Sequence, residues 1–353
     1  MRPRFNRSIR TTVTAVLAAV MVLFAFAACA KAQPPVQENA AVTPEATVAA
    51  TSIPTATPTA TPEPTTDPAL KPVTFVWLSD TQGYASTFPK NLSAMTKWIV
   101  ENRERLNIQY VLQSGDLVND MLREREWNNI ASAFDAFVGQ VPVFGIAGNH
   151  DIKGMMYMYD EYHATVSRQK YTEYPTFGAE EAQGRRRYDL VTIGQEDFII
   201  IGVGYNVQRV DYDWLNSTLQ KYSDRTAILV SHWYLELKPQ TELTADSKQL
   251  HRVVAANPNV RYVLCGHRHG LRHVEEQYDD DKDGTPERTV QAIMVDYQAL
   301  PSGGEGYLML LTFNVVDRTV SITSYSPVLD DFNYFEDETI ESFTMPLSTV
   351  GGK

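Results

Sequence analysis

The chain has 353 residues, 43% hydrophobic and 10% aromatic, which is enough apolar surface to bury a core and excludes a wholly disordered or fibrous chain. Its 31 Lys and Arg against 43 Asp and Glu leave a net charge of −12. That excludes a broad basic surface for gripping nucleic acid but leaves room for a small phosphate ester at a local metal site. Two cysteines, Cys29 and Cys265, are too few for a disulfide framework.

Arg2, Arg4, Arg7 and Arg10 precede an apolar run at 13–30 that only Thr14 interrupts, the layout of a secretory signal peptide. The ending Phe26-Ala27-Ala28-Cys29 resembles a bacterial lipobox, with Phe26 where Leu is usual. That implies cleavage before Cys29 and a lipid on its sulfur. A plain signal peptide and an uncleaved anchor are the alternatives, since 18 residues is about the shortest span of a bilayer. All three put the bulk of the protein outside the cytoplasm, attached to the bacterial cell membrane or secreted. Residues 30–72 read as a disordered spacer, with nine Pro and nine Thr from Gln33 onward and no face to bury. The expected organisation is therefore a leader at 1–29, a linker at 30–72, one folded domain at 73–346 and a flexible tail at 347–353.

In the folded part, 73–78 is an apolar strand ending at Ser79-Asp80, and 89–102 a helix with Leu92, Met95, Trp98 and Ile99 on one side. A strand at 108–112 ends near Gly115-Asp116. A helix at 124–137 follows, with Trp127, Ile130, Phe134 and Phe137 inward, and then a strand at 141–146 ends at Gly148-Asn149-His150-Asp151. Strands at 187–193 and 198–203, a helix at 211–222 and a strand at 227–230 lead to Ser231-His232. A helix at 247–256, capped by Ser247, and a strand at 261–265 lead to Gly266-His267-Arg268-His269. Strands at 271–278, 290–295, 307–313 and 320–325 complete an α/β fold of two sheets packed face to face with helices outside.

In open α/β sheets, reactive side chains collect on loops past the carboxyl ends of strands. Asp80, Gln82, Asp116, Asn149, His150, His232, His267 and His269 all sit there, and these carboxylate, amide and imidazole groups suit divalent metals. They are too many for one tetrahedral centre and about right for two ions sharing a carboxylate.

The blocks Asp80-Thr81-Gln82, Gly115-Asp116, Gly148-Asn149-His150-Asp151, His232 and Gly266-His267-Arg268-His269, in this order and spacing, resemble the five motifs of the calcineurin-like metallophosphoesterases. Asp296-Tyr297-Gln298, Gly303-Gly304 and Tyr325-Ser326-Pro327 resemble a secreted bacterial branch. The resemblance implies a four-layer sandwich of two mixed sheets flanked by helices, and two divalent ions (Mn, Fe, Zn or Mg). Asp116 would bridge them, Asp80 and His269 would hold the first, and Asn149, His232 and His267 the second. His150 would protonate the leaving oxygen or stabilise the phosphoryl group, and Asp151 would fix the His150 tautomer. A bridged pair lets one ion activate water while both clamp the phosphoryl oxygens. The family usually has His where this chain has Gln82. Either the amide oxygen ligates, favouring Mn, Mg or Fe over Zn, or water fills the place.

The implied activity is hydrolysis of a phosphomonoester or phosphodiester by a membrane-tethered enzyme. The rival is a surface metal-binding or interaction protein that lost turnover. A small phosphate ester is the expected partner, with the membrane reached through the N-terminal lipid or anchor and no nucleic acid. His163, His251 and His273 match no motif and read as surface or packing residues. Cys265 reads as a small buried hydrophobe, Arg268 as pointing away from the ligands, and Arg185-Arg186-Arg187 as a solvated loop. Asp279-Asp280-Asp281-Lys282-Asp283-Gly284 follows the start of a calcium-binding EF-hand loop but has Val290 at its twelfth position. It reads as a solvated hairpin tip, or else a weak calcium site. Tyr84, Trp233 and Tyr234 fit either a substrate pocket or packing.

Overall fold

The computed structural model describes residues 70–152, 158–166 and 169–351. The leader and most of the linker lie outside the described residues. No helix among those described is long and apolar enough to cross a membrane.

The chain opens with β1 (Val73–Leu78), the short α1 (Gln82–Ser86), α2 (Pro89–Glu101), β2 (Ile108–Gln113), α3 (Glu124–Phe134) and β3 (Val143–Gly145). Two short helices follow, α4 (Asp160–Thr165) and α5 (Gln169–Thr172), then β4 (Phe177–Glu181), β5 (Arg186–Ile193) and β6 (Glu196–Val203). Next come α6 (Arg209–Lys221), β7 (Thr226–Ser231), α7 (Ala245–Ala256), β8 (Val260–Cys265), β9 (Leu271–Tyr278) and β10 (Arg288–Val295). The last elements are α8 (Pro301–Gly304), β11 (Leu308–Asn314), β12 (Thr319–Ser326), β13 (Asp331–Phe332) and β14 (Ser342–Pro346).

Among the described residues these strands make two sheets. One runs β13-β12-β11-β1-β2-β3, with β14 also on β12, and the other runs β4-β5-β6-β7-β8-β10-β9. Both are mixed: β1, β2 and β3 are parallel, as are β6, β7, β8 and β10, while the outer strands are antiparallel.

β1 shows why the layers stack. All six of its residues are buried, because its two faces serve two cores, as the period of two requires. Val73, Phe75 and Trp77 pack between the sheets with Ile228, Val230 and Leu264. Val76 and Leu78 pack under α2 and α3 against Leu92, Ile99 and Ile130. On the far side, Ile199, Ile201 and Leu229 meet Leu215, Leu219 and Leu250 of α6 and α7. The expected helix–sheet–sheet–helix sandwich is the observed one.

Some expectations are corrected. Thr244, not Ser247, caps α7: its Oγ1 accepts the Ser247 amide at 3.1 Å, a geometry open only to the residue just outside the helix. The predicted helix at 124–137 ends at Phe134 and tightens into a 3-10 turn, Asp135–Phe137. The Arg185-Arg186-Arg187 run is not solvated. Arg185 pairs with Asp211 at 3.2 Å, and the buried Arg187 grips Asp189 with two bonds of 2.9 Å. Nor is the segment after Pro346 a free tail up to Val350. Leu347 is buried, the Ser348 amide donates to the Tyr262 hydroxyl, and the Val350 amide donates to Thr226 Oγ1. Strands β4, β13 and β14 were not expected; they are short and contribute few apolar side chains.

Candidate metal centre

The parallel strands all deliver their carboxyl ends to one edge of the sandwich. Asp80 follows β1, Asp116 follows β2, Asn149 and His150 follow β3, His232 follows β7, and His267 and His269 follow β8. The turns that present them are sharp. Asp80, Asp116, His267 and His269 have φ of 52°, 54°, 75° and 47°, left-handed conformations that cost a non-glycine residue about 1 kcal/mol or more. The loops also run close together. A Cβ on Gly148 would lie 2.2 Å from Asp116 Oδ1, and one on Gly266 would lie 2.0 Å from Asp80 Oδ2, so only glycine fits either place.

At the centre, the donor atoms of Asp116, His232 and His267 all lie within 4.8 Å of one another. The His232 ring is oriented from behind: its Nδ1 lies 3.0 Å from the Ser114 carbonyl, an acceptor, and so carries the proton. Its Nε2 faces Asn149 Oδ1 at 3.0 Å, His267 Nδ1 at 3.1 Å and Asp116 Oδ2 at 3.4 Å. Lone pairs from a carboxylate, an amide oxygen and imidazoles thus converge on one small volume. A cation satisfies such a set; a proton satisfies only part of it.

The charges agree. Burial opposes an imidazolium at His232, yet the Asp116 and Asp80 carboxylates hold its pKa up to about 10. Burial and the His232 charge push His267 down to about 3. Burial works against ionised Asp116, but His232 keeps it below the usual carboxylate range. Burial, helped by Asp296 and Asp116, drives Asp80 well above it.

Gln82 donates its amide to Asp116 Oδ2 at 3.2 Å, while its Oε1 is buried with no hydrogen-bond partner. An orphaned buried carbonyl oxygen normally costs about 1–3 kcal/mol, and a metal ion is the kind of partner it lacks. These residues fit divalent cations. Asp80 joins the set through the backbone, accepting the His267 amide at 3.1 and 3.3 Å as well as the Ser79 hydroxyl. Behind Asp80, Ser79 accepts from Ser114, which in turn accepts from the Trp77 indole.

Two expectations change on the far sides of the centre. His150 is not held by Asp151. Its Nδ1 lies 2.7 Å from the Asn119 carbonyl, and its amide donates to Asp116 Oδ1 at 2.9 Å. Asp151 is fully buried and accepts the Val118 and Gly148 amides at 3.0 and 2.7 Å. Burial and the Asp116 charge push its pKa up to about 7. It braces the two loops that carry Asp116 and Asn149. His269 is exposed, and its amide donates to Asp296 Oδ2 at 2.7 Å.

Sequence reasoning missed Asn119, and it named Asp296 only within a block resembling the bacterial branch, with no place at the site. Asp296 carried a usable signal, since it directly follows an apolar strand, as His232 follows β7. Asn119 acts through its carbonyl, which no side-chain pattern reveals. Tyr205, past β6, was also missed. It stands beside the clustered imidazoles, with ring centroids 6.1 Å from His232 and 6.2 Å from His267.

Trp233 lies against His267 at 4.3 Å. Arg268 points away from the ligands, over the Trp233 ring and onto Glu236 at 2.8 Å. Tyr84 and Tyr234 are packing residues: the Tyr84 hydroxyl takes the Gly306 amide, and the Tyr234 hydroxyl donates to Glu276. Cys265 is buried, and burial pushes its thiol up to about 12. Asp279, Asp281, Asp283 and Glu287 bring carboxylate oxygens within 4.8 Å of one another at the β9–β10 hairpin tip. There Asp279 and Asp281 accept the Asp283 amide, and Asp279 also the Gly284 amide.

A family model for the calcineurin-like phosphoesterases matches residues 73–271, which is more than half of the chain and spans all five loops. The chain belongs to this family. Among proteins of known sequence it is similar to the uncharacterized protein YvnB of Bacillus subtilis (strain 168), at 36% identity over 267 residues. That match covers 75% of this chain and 21% of YvnB, so the chain spans about a fifth of that relative's length. Among solved structures it resembles a dimetal phosphatase from Danio rerio, with a TM-score of 0.51, 12% identity, and 79% of this chain and 100% of that one covered. It also resembles purple acid phosphatase PPD1 from yellow lupin, with a TM-score of 0.51, 13% identity and coverage of 78% and 54%. A third similar structure is GAP50, the anchor in the inner membrane complex of Plasmodium, with a TM-score of 0.51, 11% identity and coverage of 79% and 89%. At these identities the likeness is one of fold.

Proposed function

We propose that this member of the calcineurin-like phosphoesterases hydrolyses a phosphomonoester or phosphodiester with two divalent ions, outside the cytoplasm, tethered to the membrane by its N-terminal lipid or anchor. The observation that carries the catalytic part is the convergence of Asp116, Asn149, His232 and His267 on one volume. The localisation rests on the sequence of residues 1–72 alone.

In this reading Asn149, His232 and His267 would hold one ion, Asp80, Gln82 and His269 the other, and Asp116 would serve both. The ions would be Mn, Fe, Zn or Mg, and they would supply the Lewis acidity that activates water and clamps the phosphoryl oxygens. The chain's own groups do the rest. With Nδ1–H on the Asn119 carbonyl, His150 has Nε2 free to meet the ester and to give a proton to the leaving oxygen. The Ser114 carbonyl keeps the His232 lone pair on Nε2. Asp80 and Asp116 each take a backbone amide from a facing loop, which sets the spacing of the two halves before substrate arrives.

The test is an assay of the purified protein on aryl phosphate mono- and diesters with and without Mn. Metal-dependent turnover that falls about 100- to 10,000-fold in His150→Ala supports the proposal. Bound metal with no turnover of any ester supports the second reading, a metal-binding or interaction protein. Gln82 in place of the usual His favours that reading, and the fold of the GAP50 anchor is compatible with it.

A further inference from the structure

Asp296 is a buried carboxylate that the roles above do not use. It lies immediately after β10, is 2% exposed, and places its oxygens against the same loop that carries His267 and His269. Its Oδ2 accepts the His269 amide at 2.7 Å and the Gln298 side-chain amide at 3.3 Å, and its Oδ1 accepts the Gln298 backbone amide at 3.0 Å. Its own amide donates to the Gly270 carbonyl at 3.0 Å. Asp80 grips the other end of that loop through the His267 amide. Both loop histidines sit at left-handed φ, a conformation that persists only where the surroundings over-determine it.

Among the described residues neither Asp80 nor Asp296 has a Lys or Arg partner, and all the donors to Asp296 are neutral amides. The charges set against Asp80 and Asp296 come from the His232 and His269 imidazoles, neither of them a permanent cation, so two carboxylates buried around one loop give the structure a reason to want a metal cation there. Stability alone would place an amide or an apolar side chain at 296.

We propose that Asp296 is a positioning residue of the first-ion side: it holds the His269 segment in its strained turn, and its charge raises the affinity of that side for a divalent cation. The proposal rests on the metal-centre reading above. It offers a reason why Gln82 is tolerated in place of a stronger imidazole ligand. The added carboxylate makes the first-ion side harder and more anionic, which suits Mn or Mg better than Zn.

The test uses the full chain and Mn as probe, comparing wild type, Asp296→Asn and Asp296→Ala by calorimetric titration and by the electron paramagnetic resonance of bound Mn. Asp296→Asn keeps an acceptor for the His269 amide and removes the charge. We expect its weaker Mn equivalent to lose about 10- to 100-fold in affinity, its tighter equivalent to keep its affinity, and its chelated form to melt no lower than wild type. Asp296→Ala, which loses the acceptor too, should bind the weaker equivalent less well still. Two unchanged affinities in Asp296→Asn would overturn the proposal, and a lower melting point in chelator beside them would mark Asp296 as a structural carboxylate. A wild type that binds no Mn would instead overturn the metal-centre reading beneath it.

Discussion

Two parts of this molecule bury carboxylates, and they do so in opposite ways. Between the sheets, Asp189 is fully buried but closed: Arg187 donates twice at 2.9 Å, Tyr110 donates its hydroxyl, and the guanidinium lies 5.4 Å from the Phe144 ring and 5.3 Å from that of Phe177. At the strand ends, Asp80, Asp116 and Asp296 are equally buried, yet their partners are backbone amides, two amide side chains, one hydroxyl and an imidazole. Among the described residues no Lys or Arg reaches them. The first cluster balances its charge internally and can only hold the sheets together. The second leaves lone pairs pointing inward, and that unsatisfied valence is what makes a binding site.

The sharpest way to break this comparison is to open the closed cluster. Arg187→Met leaves Asp189 as an unpaired buried charge and should cost about 3–5 kcal/mol in urea unfolding, while the folded fraction still binds Mn. Asp116→Asn attacks the other cluster. It should lower metal-dependent aryl phosphate hydrolysis by about 100- to 1,000-fold while shifting the urea midpoint of the chelated protein far less than Arg187→Met does. Adding Mn at about 100 times its dissociation constant should stabilise wild type by about 2.7 kcal/mol. The same increment should appear in Arg187→Met and vanish in Asp116→Asn, as followed by scanning calorimetry. The smallest expected effect is one of preference: Gln82→His should move competition between Mn and Zn about tenfold toward Zn, read by metal analysis after dialysis against both.

Much of this was legible in the chain. Apolar runs such as Val73–Leu78, punctuated by Gly, Asp, Asn and His, located the strands and the loops that follow them. Side chains able to ligate are named by their chemistry, and the structure brings Asp116, Asn149, His232 and His267 together. Partners that act through backbone are not so named. The Asn119 carbonyl holds His150, displacing Asp151 from the role assigned to it, because a carbonyl is the same at every position until folding places it. Edge strands such as β14, with only Met345 buried among its five residues, carry too little apolar pattern to stand out.

The order of residues by itself determined the family, the sheet-and-helix alternation and the identity of the convergent side chains, since strand period and ligand chemistry are local properties. Only the tertiary structure decided which charges are cancelled and which stay open. The Arg187–Asp189 pair, two residues apart on β5, became a closed buried cluster because Tyr110 and Phe144 of the facing sheet cover it, and Asp296 became a neighbour of the His267–His269 loop because β8 and β10 pair side by side; packing, not spacing along the chain, decides which buried charges are covered.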